Sequence, residues 1–166
     1  MRCANCRREN EYPVCIPCWN FVVNRLPQFL PQYHQLESEM LPSQGYGERV
    51  QGSKTPPMPV RAETLHLRTG GISRVLMKHE AEMRELRYET KITFRGEEAN
   101  KIKASAEYLY LRSDWAFANY PMVVEFVSDI ITLSNQILHV LGVKSDEIVI
   151  GKCPTQDDDG TICGAT

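Results

Sequence analysis

Two pairs of cysteines occupy the first eighteen residues, in the stretch MRCANCRRENEYPVCIPCWNF. Cys3, Cys6, Cys15 and Cys18 give the pattern C-x2-C-x8-C-x2-C. This spacing constrains the fold more than anything else in the 166-residue chain. Each C-x-x-C turn aims two sulfurs at one point, and the intervening RRENEYPV loop brings the second pair round to close a tetrahedron. Four thiolates are soft ligands and suit Zn2+ better than a hard cation. All four coordination positions are filled by protein, which points to a structural site; a catalytic zinc keeps a place open for water. Redox chemistry, disulfides and an iron–sulfur cluster are the competing readings of the same spacing. For the redox reading, Cys15-Ile-Pro-Cys18 does precede a helix, but no βαβ pattern surrounds it.

A second pair lies in the closing fragment GKCPTQDDDGTICGAT. Cys153-Pro and Cys163-Gly resemble zinc-ribbon turns, yet two thiols make half a tetrahedral site. The alternative is a tail with two idle thiols. The run Asp157, Asp158, Asp159 lacks the alternation and the closing glutamate of a calcium loop.

Between the two cysteine segments the apolar residues recur with helical period. Trp19, Val22, Leu26, Leu30, Tyr33, Leu36 and Met40 form one stripe, interrupted by Pro27 and Pro31. A helix from about Pro17 to Arg25, a break, and a second helix from about Pro31 to Leu41 are expected, because an internal proline costs a hydrogen bond and clashes with the preceding turn. Residues 42–60 are rich in Gly, Pro and Ser and read as a connector, with a polyproline-like segment at KTPPMPV. RAETLHL reads as one or two helical turns. Ile72, Leu76, His79, Met83 and Leu86 define the next stripe, with the Glu80–Arg84 pair on the opposite, charged face. His79 reads as a packed histidine bonded to a neighbour. Residues 88–95 read as a helix continuation or a loop. GEEANKIKASAEYLYLRSDWAFANYP reads as one long helix whose face is Ile102, Ala106, Leu109, Ser113 and Phe117, widened by Tyr108, Leu111 and Trp115. A last helix carries Val123, Phe126, Val127, Ile130, Leu133, Ile137 and Leu141, and Gly142 stops it.

The expected fold is therefore all-α: a bundle of four to five helices with an N-terminal four-cysteine zinc knuckle and a partial zinc-ribbon-like tail. The expected organisation is residues 1–18 as the knuckle, 19–143 as the helical domain and 144–166 as the tail. No apolar segment precedes a small-residue cleavage site, and the apolar stretch around Met122–Leu141 is broken by Glu125, Asp129, Asn135 and His139. A cytoplasmic protein, with no membrane span, is expected.

The net charge of −2 excludes an evenly spread nucleic-acid footprint. Residues 1–25 nonetheless carry four arginines against two glutamates, and residues 144–166 carry two lysines against five acids. An anionic partner would meet the first end, where Arg2, Arg7 and Arg8 are the candidate phosphate contacts. No G-x-S-x-G, Walker A, G-x-G-x-x-G or H-E-x-x-H occurs. The Gly pair in RTGGIS reads as a helix start before a phosphate loop. His34, His66, His79 and His139 are scattered, with no pair of Glu-x-x-His units of the di-iron kind. No acid–base constellation stands out, so a non-enzymatic protein is expected.

The order of parts resembles a group of small zinc-containing proteins of actinobacteria and their bacteriophages. The matching pieces are CANCRRENEYPVCIPCW, FLPQYHQLESEML, SKTPPMPVRAETLHLR, YLYLRSDWAFANYPMVVEFVSDIITL and IGKCPTQDDDGTICGA. The resemblance implies that Cys153 and Cys163 begin a second zinc ribbon. In that group a further cysteine pair follows, and often a helix-turn-helix associated with DNA. The chain stops two residues after Gly164 and reads as a shortened member, its last two cysteines without partners. Two functions follow as expectations: a DNA-associated regulatory protein, or a zinc-stabilised module that docks on a host protein. The oligomeric state is open.

Overall fold

The computed structural model describes residues 1–40, 62–90, 92 and 96–142. Among these the protein is all-α, a bundle closed at one end by the cysteine turns. Seven α-helices are present among the described residues: α1 (Ile16–Arg25), α2 (Phe29–Ser38), α3 (Ala62–His66), α4 (Ile72–Leu86), α5 (Glu98–Leu111), α6 (Ser113–Asn119) and α7 (Val123–Val140). The connector at 42–60 lies outside the described residues, as do Cys153, Cys163 and the tail around them.

The prolines explain the shape of the first half. Pro17 sits in the first turn of α1, where its missing N–H is not needed. Pro27 lies in a short 3-10 turn, Leu26–Gln28, and Pro31 falls in the first turn of α2. The expected break is thus only this tighter turn, and α2 begins at Phe29, before Pro31. The tighter turn also rotates the register. Phe29 and Gln32 are buried beside Tyr33 and Leu36, while Leu30, which an unbroken 3.6-residue period would bury, is only partly covered.

α3 runs into α4 through a kinked turn, Leu67–Gly71. Gly70 takes φ +113, and a Cβ on Gly71 would lie 2.8 Å from the His66 carbonyl oxygen. The glycine pair therefore allows α3 to kink into α4. α4 packs along α5, and α7 packs against α1, α2 and α4. One core results, built on Val22, Leu26, Phe29, Leu36, Ile72, Leu76, Met83, Ile102, Leu109, Phe126, Ile130 and Ile137. Gly142, at φ +66, ends α7 as expected.

Three expectations are corrected. The long helix over 96–121 breaks at Arg112, whose φ −105 and ψ 9 leave the helical region. After the break Ala116 takes the buried place, and Leu111 is 73% exposed. The Glu80–Arg84 pair, bonded at 2.7 Å, does not lie on an exposed face: Glu80 is only 2% exposed. Leu86, assigned to the buried stripe, is exposed.

His79 is fully buried between α4 and α7, as a satisfied histidine should be. Its Nε2 lies 3.0 Å from Asp129 Oδ2, and its Nδ1 lies 3.0 Å from the Tyr120 hydroxyl, which also touches Glu82. Lys78 adds a 3.1 Å bond to Asp129 and a further bond to Glu125. Burial drives the imidazole below its ordinary range, against the pull of Asp129. The folded ring therefore takes its proton at a lower pH than the unfolded ring does. Stability is expected to fall as pH drops below the unfolded histidine value of about 6.5, with a slope of up to about 1.4 kcal/mol per pH unit. Denaturant melts of the protein and of His79→Gln between pH 7 and pH 5 check this; the variant should show the shallower slope.

Candidate metal centre

Backbone geometry builds the centre before any side chain is considered. Arg2 and Glu9 form an antiparallel bridge, the only strand-like pairing among the described residues. Inside it, the Cys3 N–H donates to the Arg8 carbonyl at 2.8 Å and the Arg7 N–H to the Cys3 carbonyl at 2.9 Å. Turning this tightly forces Arg7 to φ +60, a region that costs an L-residue roughly 1–2 kcal/mol. The returning loop is anchored by the Ala4 N–H donating to the Pro13 carbonyl at 2.8 Å. The Asn10 side-chain amide donates to the carbonyls of Tyr12 and Val14, at 3.0 and 3.2 Å. No sequence signal marks Asn10 as the residue that holds the loop.

The second pair comes from a helix start. Cys15 is the N-cap of α1, with extended φ −79 and ψ 154, and Cys18 lies in the first turn. The positive end of the helix dipole thus faces the sulfurs. All four Sγ atoms lie within 4.8 Å of one another. A tetrahedron with metal–sulfur bonds of about 2.3 Å has edges of about 3.8 Å, so the cluster has the size such an ion requires. All four cysteines are free thiols, and Cys6 and Cys15 approach to 3.5 Å, far beyond a bonded S–S pair. The cluster is that of a metal site.

Donors to the sulfurs complete it. The Cys15 N–H donates to Cys3 Sγ at 3.3 Å, and the Asn5 side-chain amide donates to Cys18 Sγ at 3.3 Å. Burial pushes the Cys3 thiol up, but the backbone N–H groups of Cys6, Cys15 and Asn5 outweigh it and bring Cys3 down to about 6. Burial drives Cys15 up, and Cys18 up to about 12, the Asn5 bond only partly opposing the latter. One sulfur is therefore prepared as a thiolate while buried neighbours resist ionising without a compensating cation. A bound cation would supply that charge.

The centre is part of the core. Cys3, Val14, Cys15 and Cys18 belong to the same buried cluster as the helices. Tyr12 packs on Phe117 of α6 with ring centroids 5.4 Å apart, and Trp19 packs on Phe117 and Phe126 at 5.4 and 5.8 Å. Arg2, Arg7 and Arg8, the candidate nucleic-acid contacts, are all exposed on the turn.

Removing one ligand leaves the ion three-coordinate and the other sulfurs uncompensated. Cys15→Ser is expected to lose the bound metal and more than about 3 kcal/mol of stability, because loss of a metal is among the mechanisms that exceed the usual effect of a single substitution. Metal content by atomic spectroscopy and the melting curve check it. Arg7→Gly is expected to keep the metal and gain up to about 1 kcal/mol, because glycine adopts positive φ without penalty. Arg7→Val should do the reverse in the same melts.

No family model, curated protein or solved structure matches this chain, so the reading of the centre rests on its own geometry.

Proposed function

We propose that this chain is a zinc-stapled, non-enzymatic regulatory protein of phage or actinobacterial type that works in association with DNA. The observation that carries this reading is the convergence of Cys3, Cys6, Cys15 and Cys18 at the first turn of α1, within one metal's reach. Four thiolates are a soft, closed donor set, which favours Zn2+ in a structural role. The ion would fix a turn that presents Arg2, Arg7 and Arg8 to solvent. Three arginines give phosphate contact that is salt-sensitive and indifferent to sequence.

A second reading, docking on a host protein, draws on a different observation. Tyr12, Ile16 and Phe21, from the knuckle loop and α1, are 49%, 59% and 39% exposed. Apolar and aromatic side chains on a mildly acidic protein suit a protein interface.

Binding of the zinc-loaded protein to a random-sequence duplex at low and at moderate salt tests both. The DNA reading expects measurable affinity at low salt, with a log–log salt slope of about −2 to −3 for three phosphate contacts, reduced by Arg7→Gln and Arg8→Gln. No binding at low salt overturns it and favours docking. Zinc content is measured on the same preparation, and one ion per knuckle is expected.

A further inference from the structure

A second charged cluster lies where α4 ends, away from the cysteines. α4 closes with the Tyr88 N–H donating to the Glu85 carbonyl at 3.2 Å and the Glu89 N–H to the Arg84 carbonyl at 2.9 Å. This is the Schellman pattern, whose pivot residue takes positive φ and is usually glycine. Here the pivot is Tyr88, at φ +55 and 98% exposed, so its ring gains nothing from packing. The turn swings the Glu89 carboxylate into a ring of donors from three places: Arg84 and Arg87 at the end of α4, Tyr108 on α5, and Arg112 at the α5–α6 break.

The three guanidiniums are held by more than Glu89. Arg84 and Arg112 lie 4.0 and 5.9 Å from the centre of the Tyr108 ring, and Arg87 lies 4.9 Å from that of Trp115. Stacking of this kind preorganises the planar group. Arg84 is also fixed by its 2.7 Å bond to Glu80.

The occupant is too small for the ring. Glu89 accepts close hydrogen bonds from Arg87 Nε at 2.7 Å and from the Tyr108 hydroxyl at 2.9 Å. It leaves Arg84 Nη1 at 3.5 Å and Arg112 Nε at 3.7 Å. Arg112 Nε is shielded from solvent with no hydrogen-bond partner among the described residues. Counting Arg84, Arg87 and Arg112 against Glu80 and Glu89, the ring keeps one positive charge in excess. A carboxylate offers two coplanar oxygens and one charge. A phosphate group offers three or more oxygens in a tetrahedron and up to two charges, which suits three converging guanidiniums.

We propose that Arg84, Arg87, Arg112 and Tyr108 form a receptor for a phosphate group, which Glu89 occupies as an internal substitute until a phosphate displaces it. This site is separate from the knuckle and stands whether or not the knuckle arginines touch DNA. The phosphate is free inorganic phosphate or a phosphate monoester, because a nucleic-acid phosphodiester offers only two terminal oxygens and one charge, no more than the Glu89 carboxylate. Displacement frees the segment that Tyr88 holds in an unfavourable conformation, so exchange relieves strain as it loses the Glu89 bonds.

Titration of inorganic phosphate into the metal-loaded full chain tests this, followed by calorimetry at constant ionic strength. Glu89→Gln removes the competing charge while keeping an acceptor, and should bind phosphate at least about tenfold tighter than the parent. Adding Arg112→Gln to that variant should abolish the gain. Arg112→Gln alone tests the parent: phosphate should raise the parent's melting temperature and leave this variant's unchanged. A short oligonucleotide without terminal phosphates is the control: it should leave phosphate bound to Glu89→Gln, and displacement by it would overturn the selection for three terminal oxygens. Equal phosphate affinity in the parent, Glu89→Gln and the double variant, or no binding in any of them at about 10 mM, overturns the proposal.

Discussion

Four sulfurs held within one metal's reach, three of them buried, set the terms for the front of this molecule. Their charge cannot be borne by a low-dielectric interior unless something of opposite sign answers it. Backbone N–H groups around Cys3, the Asn5 amide on Cys18 and the first turn of α1 supply part of the answer. A bound cation would supply the rest. Because Cys3, Cys15 and Cys18 sit in the same buried cluster as Val22 and Phe126, the cysteine turns are the lid of the core and not an appendage to it.

Polar interior groups follow a similar logic elsewhere. Between α4 and α7 the buried imidazole lies 3.0 Å from Asp129 on one ring nitrogen and 3.0 Å from the Tyr120 hydroxyl on the other, and that hydroxyl donates its own proton to Glu82. Glu80 is less complete: Arg84 satisfies one oxygen, and the other is buried without a partner among the described residues. The His79–Asp129 pair gives register as well as cohesion, because it fits only one alignment of α4 and α7.

Much of this was legible in the residues. Sulfur spacing located the metal centre, because C-x-x-C turns are local and need no knowledge of the rest of the chain. Period alone located α4 and α7, though it carried the α4 stripe one step too far, to the exposed Leu86. It went wrong where the backbone departs from 3.6 residues per turn. The 3-10 turn at Leu26–Gln28 buried Phe29 in place of Leu30, and the break at Arg112 left Leu111 in solvent. No helix-breaking residue stands at Arg112, so composition carried no signal there. The arginine ring was hidden for another reason. Its members come from positions 84 to 112 and meet only when α4 packs along α5, a tertiary fact. A tyrosine in place of the usual glycine at residue 88 concealed the turn that delivers Glu89.

The cysteine centre is also lopsided in its shielding. Cys3, Cys15 and Cys18 are buried, whereas Cys6 reaches the surface. A chelator or an oxidant arriving from solvent therefore meets the Cys6 sulfur before the other three. Exchange of a bound ion would have a preferred doorway on that side, the inner three ligands, tied into the core, holding their places while the outer one lets go.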